Sequence, residues 1–366
     1  MAADPKQLKL VKNVGSQGIA FGLDRVPATD RIVYGSSDFQ VYEYDFGAEK
    51  SESRGFEGEG HRSYVTTVAV AGQSVVSGSY DRRLVWWDIE TRKQVRVTES
   101  AHAKRIRRVA ASPDGRLVAS VSDDMDVKVW DVESGELKAT LKEHKPMTPH
   151  NYPSMLYAVS FSKDGKWLAT ADKVGHIVVW DVSTGKTLKT LEAPIMYTWD
   201  PRQRRHSIGG IRSIAFSHDG KLLAVGGIGK IGNIDHLGGP SRIELFEWQT
   251  GKTLHQIEDS KHKGLVEQIA FGPDGSWFIA GGGDHNGFLS IYETGSGKLI
   301  KQDKAPMHVH QFVVNEAHDT VYAVGHHRLA TWELKAKDAK PAEKTPEKPA
   351  GKKADEASGK KPAKAT

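Results

Sequence analysis

Residues 102–131 read HAKRIRRVAASPDGRLVASVSDDMDVKVWD. A short apolar strand runs into the turn Ser112-Pro113-Asp114-Gly115, where Gly supplies the positive φ that closes a tight β-loop. Leu117–Val121 then reads as a strand buried on both faces. The unit ends on a third strand whose last residues are an aromatic-acid pair, Trp130-Asp131. The same order recurs along the chain, closing on Tyr44-Asp45, Trp87-Asp88, Trp130-Asp131, Trp180-Asp181, Phe246-Glu247, Tyr292-Glu293 and Trp332-Glu333. Trp87 and Trp130 are 43 residues apart, within the period of about 40 to 45 residues of a four-stranded propeller blade. The turn recurs as Ser162-Lys163-Asp164-Gly165, Ser217-His218-Asp219-Gly220 and Gly272-Pro273-Asp274-Gly275. A second set, Ser134-Gly135, Thr184-Gly185, Thr250-Gly251 and Ser296-Gly297, follows the aromatic-acid pairs and turns the third strand into the fourth. No stretch has a helical period. The fold class is therefore all-β: a seven-bladed β-propeller of four-stranded antiparallel blades.

With three literal Trp-Asp closures, the repeats resemble the WD40 family over nearly everything from Lys6 to Lys335. The resemblance implies a hydrogen-bond network in each well-formed blade, linking a His before the first strand, a Ser or Thr in the second, an Asp in the next turn and the Trp of the third. His61, Ser77, Asp81 and Trp87 match it in blade two, and His102, Ser120, Asp124 and Trp130 in blade three. Such mutually satisfied buried groups read as structural, not catalytic. Blade four keeps His144, Thr170 and Trp180 but has Val174 where the Asp is expected. The last unit stops after its third strand at Leu334, whereas Lys6–Asn13 alternates as a lone strand before the first. The N-terminal strand is thus expected to complete blade seven and close the ring.

Residues 1–335 form the propeller in this reading, and 336–366 a disordered Lys/Ala/Pro-rich tail without aromatic residues. The tail holds nine Lys against five acidic residues, which leaves +1 of the net +5 for the remainder. The pI near 9.0 is a property of the tail and gives no reason to expect a basic body that clamps nucleic acid. Weak polyanion contact through the tail is the minor reading. Cys is absent, which removes disulfides, a thiolate nucleophile and a Cys-based zinc site. Met1–Lys6 has no apolar signal core, and no apolar run is long enough to span a membrane. A monomeric cytoplasmic protein is expected.

The functional clue is the inequality of the repeats. The spacing between closing aromatics rises from 43 to 50 (Trp130 to Trp180) and 66 (Trp180 to Phe246) before returning to 46 and 40. Extra residues enter at Lys145–Met155, Pro194–Gly210 and Ile228–Ser241, in two loop classes that emerge on the same rim of an up-and-down blade. The second insertion carries Tyr197 and Trp199 beside Arg202, Arg204, Arg205 and His206, the residue types enriched at interface hot spots. Alternatively, the two aromatics fold back as a small loop core. The starts of the innermost strands, aligned as Gln17, Thr66, Arg107, Tyr157, Arg212, Glu267 and His310, border the channel mouth on that face, with Arg105, Tyr64 and Tyr80 nearby. The resemblance implies that such positions hold peptides, and Arg105, Arg107 and Arg212 favour an acidic or phosphorylated one. The plain alternative is that they hydrate the pore.

Other motifs carry less. His308-Val309-His310 and His326-His327 have no carboxylate at ligand spacing, so they read as surface and channel histidines, with no metal. Gly226-Gly227-Ile228-Gly229 and Gly281-Gly282-Gly283 lack the helix and Lys of a phosphate cradle. Ser, His and Asp recur once per blade for structural reasons, so no triad stands out. The expected function is a non-catalytic scaffold for a protein or peptide partner on the insertion face, without a cofactor. The runner-up is a hydrolase-like enzyme with a site around His150, Asp200, His206, Asp235 and His236.

Overall fold

The structure is a computed structural model that describes residues 3–335. The expectations for the tail, its disorder and its polyanion contact, lie outside the described residues. Seven four-stranded antiparallel sheets account for nearly all regular structure among the described residues, with a further two-stranded hairpin. Strand a, the innermost, is Ala20–Arg25 in blade one, Val65–Ala71 in two, Ile106–Ala111 in three, Leu156–Phe161 in four, Ser213–Phe216 in five, Leu265–Phe271 in six and Val309–Val314 in seven. Blade seven takes its outer strand from the other end of the chain: Lys9–Gly15 pairs antiparallel with Arg328–Glu333. Closure by the N-terminal strand is as expected, two to three residues later than Lys6–Asn13.

The turn chemistry explains the hairpins. Ser112 donates its hydroxyl to Asp114 at 2.6 Å, and Gly115 takes φ +68°. In the aromatic-acid pairs, the acid has its own task. The carboxylate of Asp131 accepts both the N–H and the hydroxyl of Ser134 at 2.8 and 2.9 Å, and Asp88 and Asp181 do the same for Thr91 and Thr184. The acid therefore builds the turn into the fourth strand.

The core lies between blades. Each of seven apolar clusters is shared by two neighbours: for example Val76 and Trp86 of blade two meet Ile106, Val118 and Trp130 of blade three. The series closes where Leu23 and Ile32 of blade one meet Val324 and Leu329 of blade seven. The expected polar networks are present. Trp130 Nε1 donates to Ser120 Oγ at 2.8 Å, Ser120 bonds His102 Nε2 at 2.8 Å, and His102 Nδ1 faces Asp124 at 3.1 Å. Trp87, Ser77, His61 and Asp81 repeat the chain in blade two. Blade four corrects the sequence reading, since the network there is complete. Asp172 bonds His144 Nδ1 at 2.9 Å, His144 Nε2 meets Thr170 at 2.8 Å, and Trp180 donates to Thr170. The acid stands two positions before Val174, at the strand end that Ser79 and Ser122 occupy in blades two and three. Among the described residues, no helix is long and apolar enough to cross a membrane.

Candidate functional site

The channel mouth is built by a repeated irregularity. In six of the seven blades the pairing of strand a with strand b slips by one residue near its start. Such a bulge re-aims the unpaired side chain. The bulged residues are Phe21, Thr66, Arg107, Tyr157, Glu267 and His310, and together with Arg212 of blade five they line a cavity of about 270 Å³. Six of the seven residues aligned from the sequence therefore belong to this ring. The exception is Gln17: Phe21 holds the blade-one position, because the bulge lies between Ala20 and Gly22.

Charge at the mouth is largely compensated. Arg107 makes a bidentate pair with Asp123, both bonds at 2.7 Å, and donates a third hydrogen bond to the Tyr80 hydroxyl at 2.6 Å. Its guanidinium is held above its usual range: burial opposes this most, but the hydrogen bonds it donates to Asp123 and the charges of Tyr80, Asp123 and Tyr157 together outweigh it. Arg212 sits over Tyr157, its guanidinium carbon 3.5 Å from the ring centroid, a close cation–π contact. Burial opposes ionisation of Glu267, but His308, 3.7 Å away, and the charges of Arg212, His308 and His310 bring its carboxyl down to about 2. Burial pushes the His310 imidazole down to about 3. Lys173, in the b-to-c turn of blade four, is lowered first by burial and then by the charge of Arg212.

An aromatic belt continues outward from the ring. Tyr64 packs on Phe21 and on Phe39, both at 5.8 Å, and on Tyr80 at 6.0 Å. Arg105 is exposed and sits 4.9 Å over the Tyr80 ring. Tyr64 is 44% and Phe39 39% exposed. Phe39 also holds φ +76°, an uncommon backbone for a bulky residue. Sequence reading missed Phe21 and Phe39, because blade one lacks the His and Trp landmarks by which the other blades align.

The three insertions do pack together. Tyr197–Asp200 and His206–Gly209 form a hairpin. Trp199 stacks on His150 of the first insertion with centroids 3.6 Å apart, and Tyr152 donates its hydroxyl to the Asp200 carbonyl at 3.1 Å. From the third insertion, Asp235 pairs with Arg204 at 2.5 Å, and the Ile231 N–H reaches Thr198 at 3.2 Å. Met155 Sδ, at the end of the first insertion, touches both Arg107 and Tyr157, so this cap adjoins the ring. Tyr197 is half-buried, whereas Trp199, Arg202 and Arg205 present exposed surface.

The residues match the WD40 family (WD domain, G-beta repeat) over 54–88, 93–131, 135–181, 201–230 and 251–292, just over half of the chain. This is a WD40 protein. The matches stop short of blades one and seven, the two whose closing pairs are Tyr44-Asp45 and Trp332-Glu333. The WD40 chain is 34% identical over 84 residues to the small ribosomal subunit protein RACK1y of Oryza sativa subsp. japonica, covering 22% of this chain and 25% of that protein. It is 40% identical over 76 residues to the nuclear distribution protein PAC1 of Arthroderma otae (20% and 16%), and 36% over 75 residues to cell division control protein 4 of Saccharomyces cerevisiae (20% and 10%). The matched stretch thus spans a quarter or less of each relative.

Three of the five side chains of the enzyme reading, Asp200, Asp235 and His150, are engaged in building the WD40 cap. Asp200 accepts the N–H groups of Arg202, Gln203 and Arg204, led by that of Arg202, and these hold its carboxyl below the usual range. Asp235 is paired with Arg204 and His150 is covered by Trp199, while His206 and His236 are exposed. The spacing argument against a metal at His308 and His310 overlooked Glu267, which blade six brings beside them.

Proposed function

We propose that this protein is a non-catalytic scaffold that holds a protein or peptide partner across the mouth of the propeller channel, and that the partner's contacting segment is acidic. The observation that carries this reading is the continuous belt Phe39, Tyr64, Phe21, Tyr80 and Arg105, exposed at its outer end and anchored on the ring at its inner end. Exposed aromatics beside Arg give large rigid contact area with a fork of donors. The exposed Arg105 favours an anionic segment, and Trp199 with the exposed Arg202 and Arg205 extends the surface onto the cap. A monomeric, cytoplasmic protein remains part of the proposal.

Affinity capture with the full chain, followed by mass spectrometry and binding measurements on the recovered partner, tests it. Phe39→Ala, Tyr64→Ala and Arg105→Ala should each weaken binding by about 2 kcal/mol or more, with unchanged melting temperature. Unaltered affinity in all three removes the belt as the binding surface. Loss confined to Trp199→Ala moves the site onto the cap.

A further inference from the structure

Blades six and seven bring a carboxylate beside two histidines that lie about 40 residues further along the chain. Glu267 stands at the bulge in strand a of blade six, His310 at the bulge in strand a of blade seven, and His308 just before that strand. Their ligand atoms all lie within 4.8 Å of one another, with Glu267 Oε1 3.7 Å from His308 Nε2. The Nε2 atoms of His308 and His310 are both buried without a hydrogen-bond partner. His308 is itself only 7% exposed, so its bare nitrogen cannot turn to water. Its other nitrogen is already committed: Nδ1 donates to the Asp284 carbonyl at 2.6 Å. That bond places a proton on Nδ1 and holds the ring so that Nε2 is the atom nearest Glu267. A metal-bound imidazole is held by the same kind of backbone bond to its far nitrogen.

We infer that Glu267, His308 and His310 bind a divalent transition metal of the zinc class through one carboxylate oxygen and two imidazole Nε2 atoms. The donor set suits zinc rather than calcium or magnesium, which take oxygen ligands. With bonds of about 2.0 to 2.2 Å, ligand atoms around tetrahedral zinc stand about 3.4 Å apart. The Glu267–His308 separation is already close to that, and side-chain rotations of about an ångström seat the third ligand. Ionised Glu267 offsets half of the metal charge. Arg212 also faces this carboxylate, but its guanidinium lies on the Tyr157 ring. Three protein ligands leave one coordination position open, reached from the mouth cavity that Glu267 and His310 line. His326 is exposed, with its ring 4.8 Å from that of His310, and stands outside the set. The proposal does not depend on the partner-binding reading.

The test uses the full chain without a histidine tag, stripped with chelator and titrated with Zn²⁺ by calorimetry and with Co²⁺ by visible absorption. One Zn²⁺ per chain should bind, and Co²⁺ should give the absorption of a low-coordinate site that Zn²⁺ displaces. Glu267→Gln and His310→Gln should each weaken binding by about tenfold or more, while His326→Ala and the distant His236→Ala stay within about threefold. Absence of a saturable one-to-one site overturns the inference, as does equal affinity in Glu267→Gln and His310→Gln. If either variant fails to fold by circular dichroism, the wild-type cobalt spectrum decides: without a band that zinc displaces, there is no such site.

Discussion

At the scale of single residues, buried polar groups hold much of the ring's stability in a few hydrogen bonds. Ser120 Oγ holds two buried partners at 2.8 Å, the Trp130 indole N–H and His102 Nε2. Ser120→Ala leaves both unpaired, at about 1 to 3 kcal/mol each, so the urea midpoint should fall by the equivalent of about 2 to 6 kcal/mol at constant m. Arg107 belongs with these rather than with freely exchangeable binding residues. Its removal strands the Asp123 carboxylate, which is only 12% exposed, and Arg107→Ala should cost about 3 kcal/mol of stability. An unchanged unfolding midpoint would show that Asp123 finds another partner or water. His318 gives a pH signature. Burial first, and then the charges of His218 and Lys163, push its imidazole down to about 4. Its folded value lies below its unfolded value of about 6.5. The stability it contributes is therefore full above about pH 6.5 and is lost as pH falls towards 4, because the unfolded chain binds the proton first. Since His318 sits at φ +56°, a conformation Asn tolerates, His318→Asn is the suitable variant. Its stability should decline less over that window, measured by denaturant titration at a series of pH values.

At the scale of the element, blade four shows how much of the fold and site could be read in advance. The repeat of aromatic-acid closures and Asp-Gly turns is local, so the number of blades and the order of strands were legible, as was the closing N-terminal strand. The network acid was placed wrongly because a position-by-position alignment assumes that every blade draws its carboxylate from the turn. In blade four the strand end supplies it: Asp172 reaches His144 from the position of Ser79 and Ser122. Asp172→Ala should accordingly destabilise the protein about as much as Asp124→Ala, and Val174→Asp should restore nothing, as thermal melts of the three variants would show. The mouth was half legible for a related reason. One residue per blade could be aligned, but the bulge that aims it has no sequence signature, and blade one slipped from Phe21 to Gln17. Glu267 beside His308 and His310 was not legible at all, since 41 residues and a blade boundary separate the first two. Spacing rules find ligands on one element, whereas a propeller juxtaposes the same strand of successive blades.

At the scale of the whole propeller, stability depends on closure, because every apolar cluster of the ring is shared between neighbouring blades and none belongs to a blade alone. The joint between the last and first blades is held by the chain's two ends at once. Lys9–Gly15 pairs with Arg328–Glu333, the Asp4 N–H bonds the Leu334 carbonyl at 2.6 Å, and Leu8 is buried in the cluster that contains Trp332 and Leu334. Deleting residues 1–15 would strip this partner from Arg328–Glu333, convert a paired strand into an open edge and expose the side of blade seven. We expect the melting temperature to drop by about 10 °C or more, corresponding to several kcal/mol in a domain of this size, and the truncated chain to self-associate through the new edge. Removal of residues 336–366, a segment without apolar anchors in its sequence, should leave the melting temperature unchanged. The paired comparison isolates closure from mere shortening. If the N-terminal deletion melts with the full chain and stays monomeric by light scattering, then the six remaining blade interfaces hold the ring unaided, and the N-terminal strand only covers blade seven.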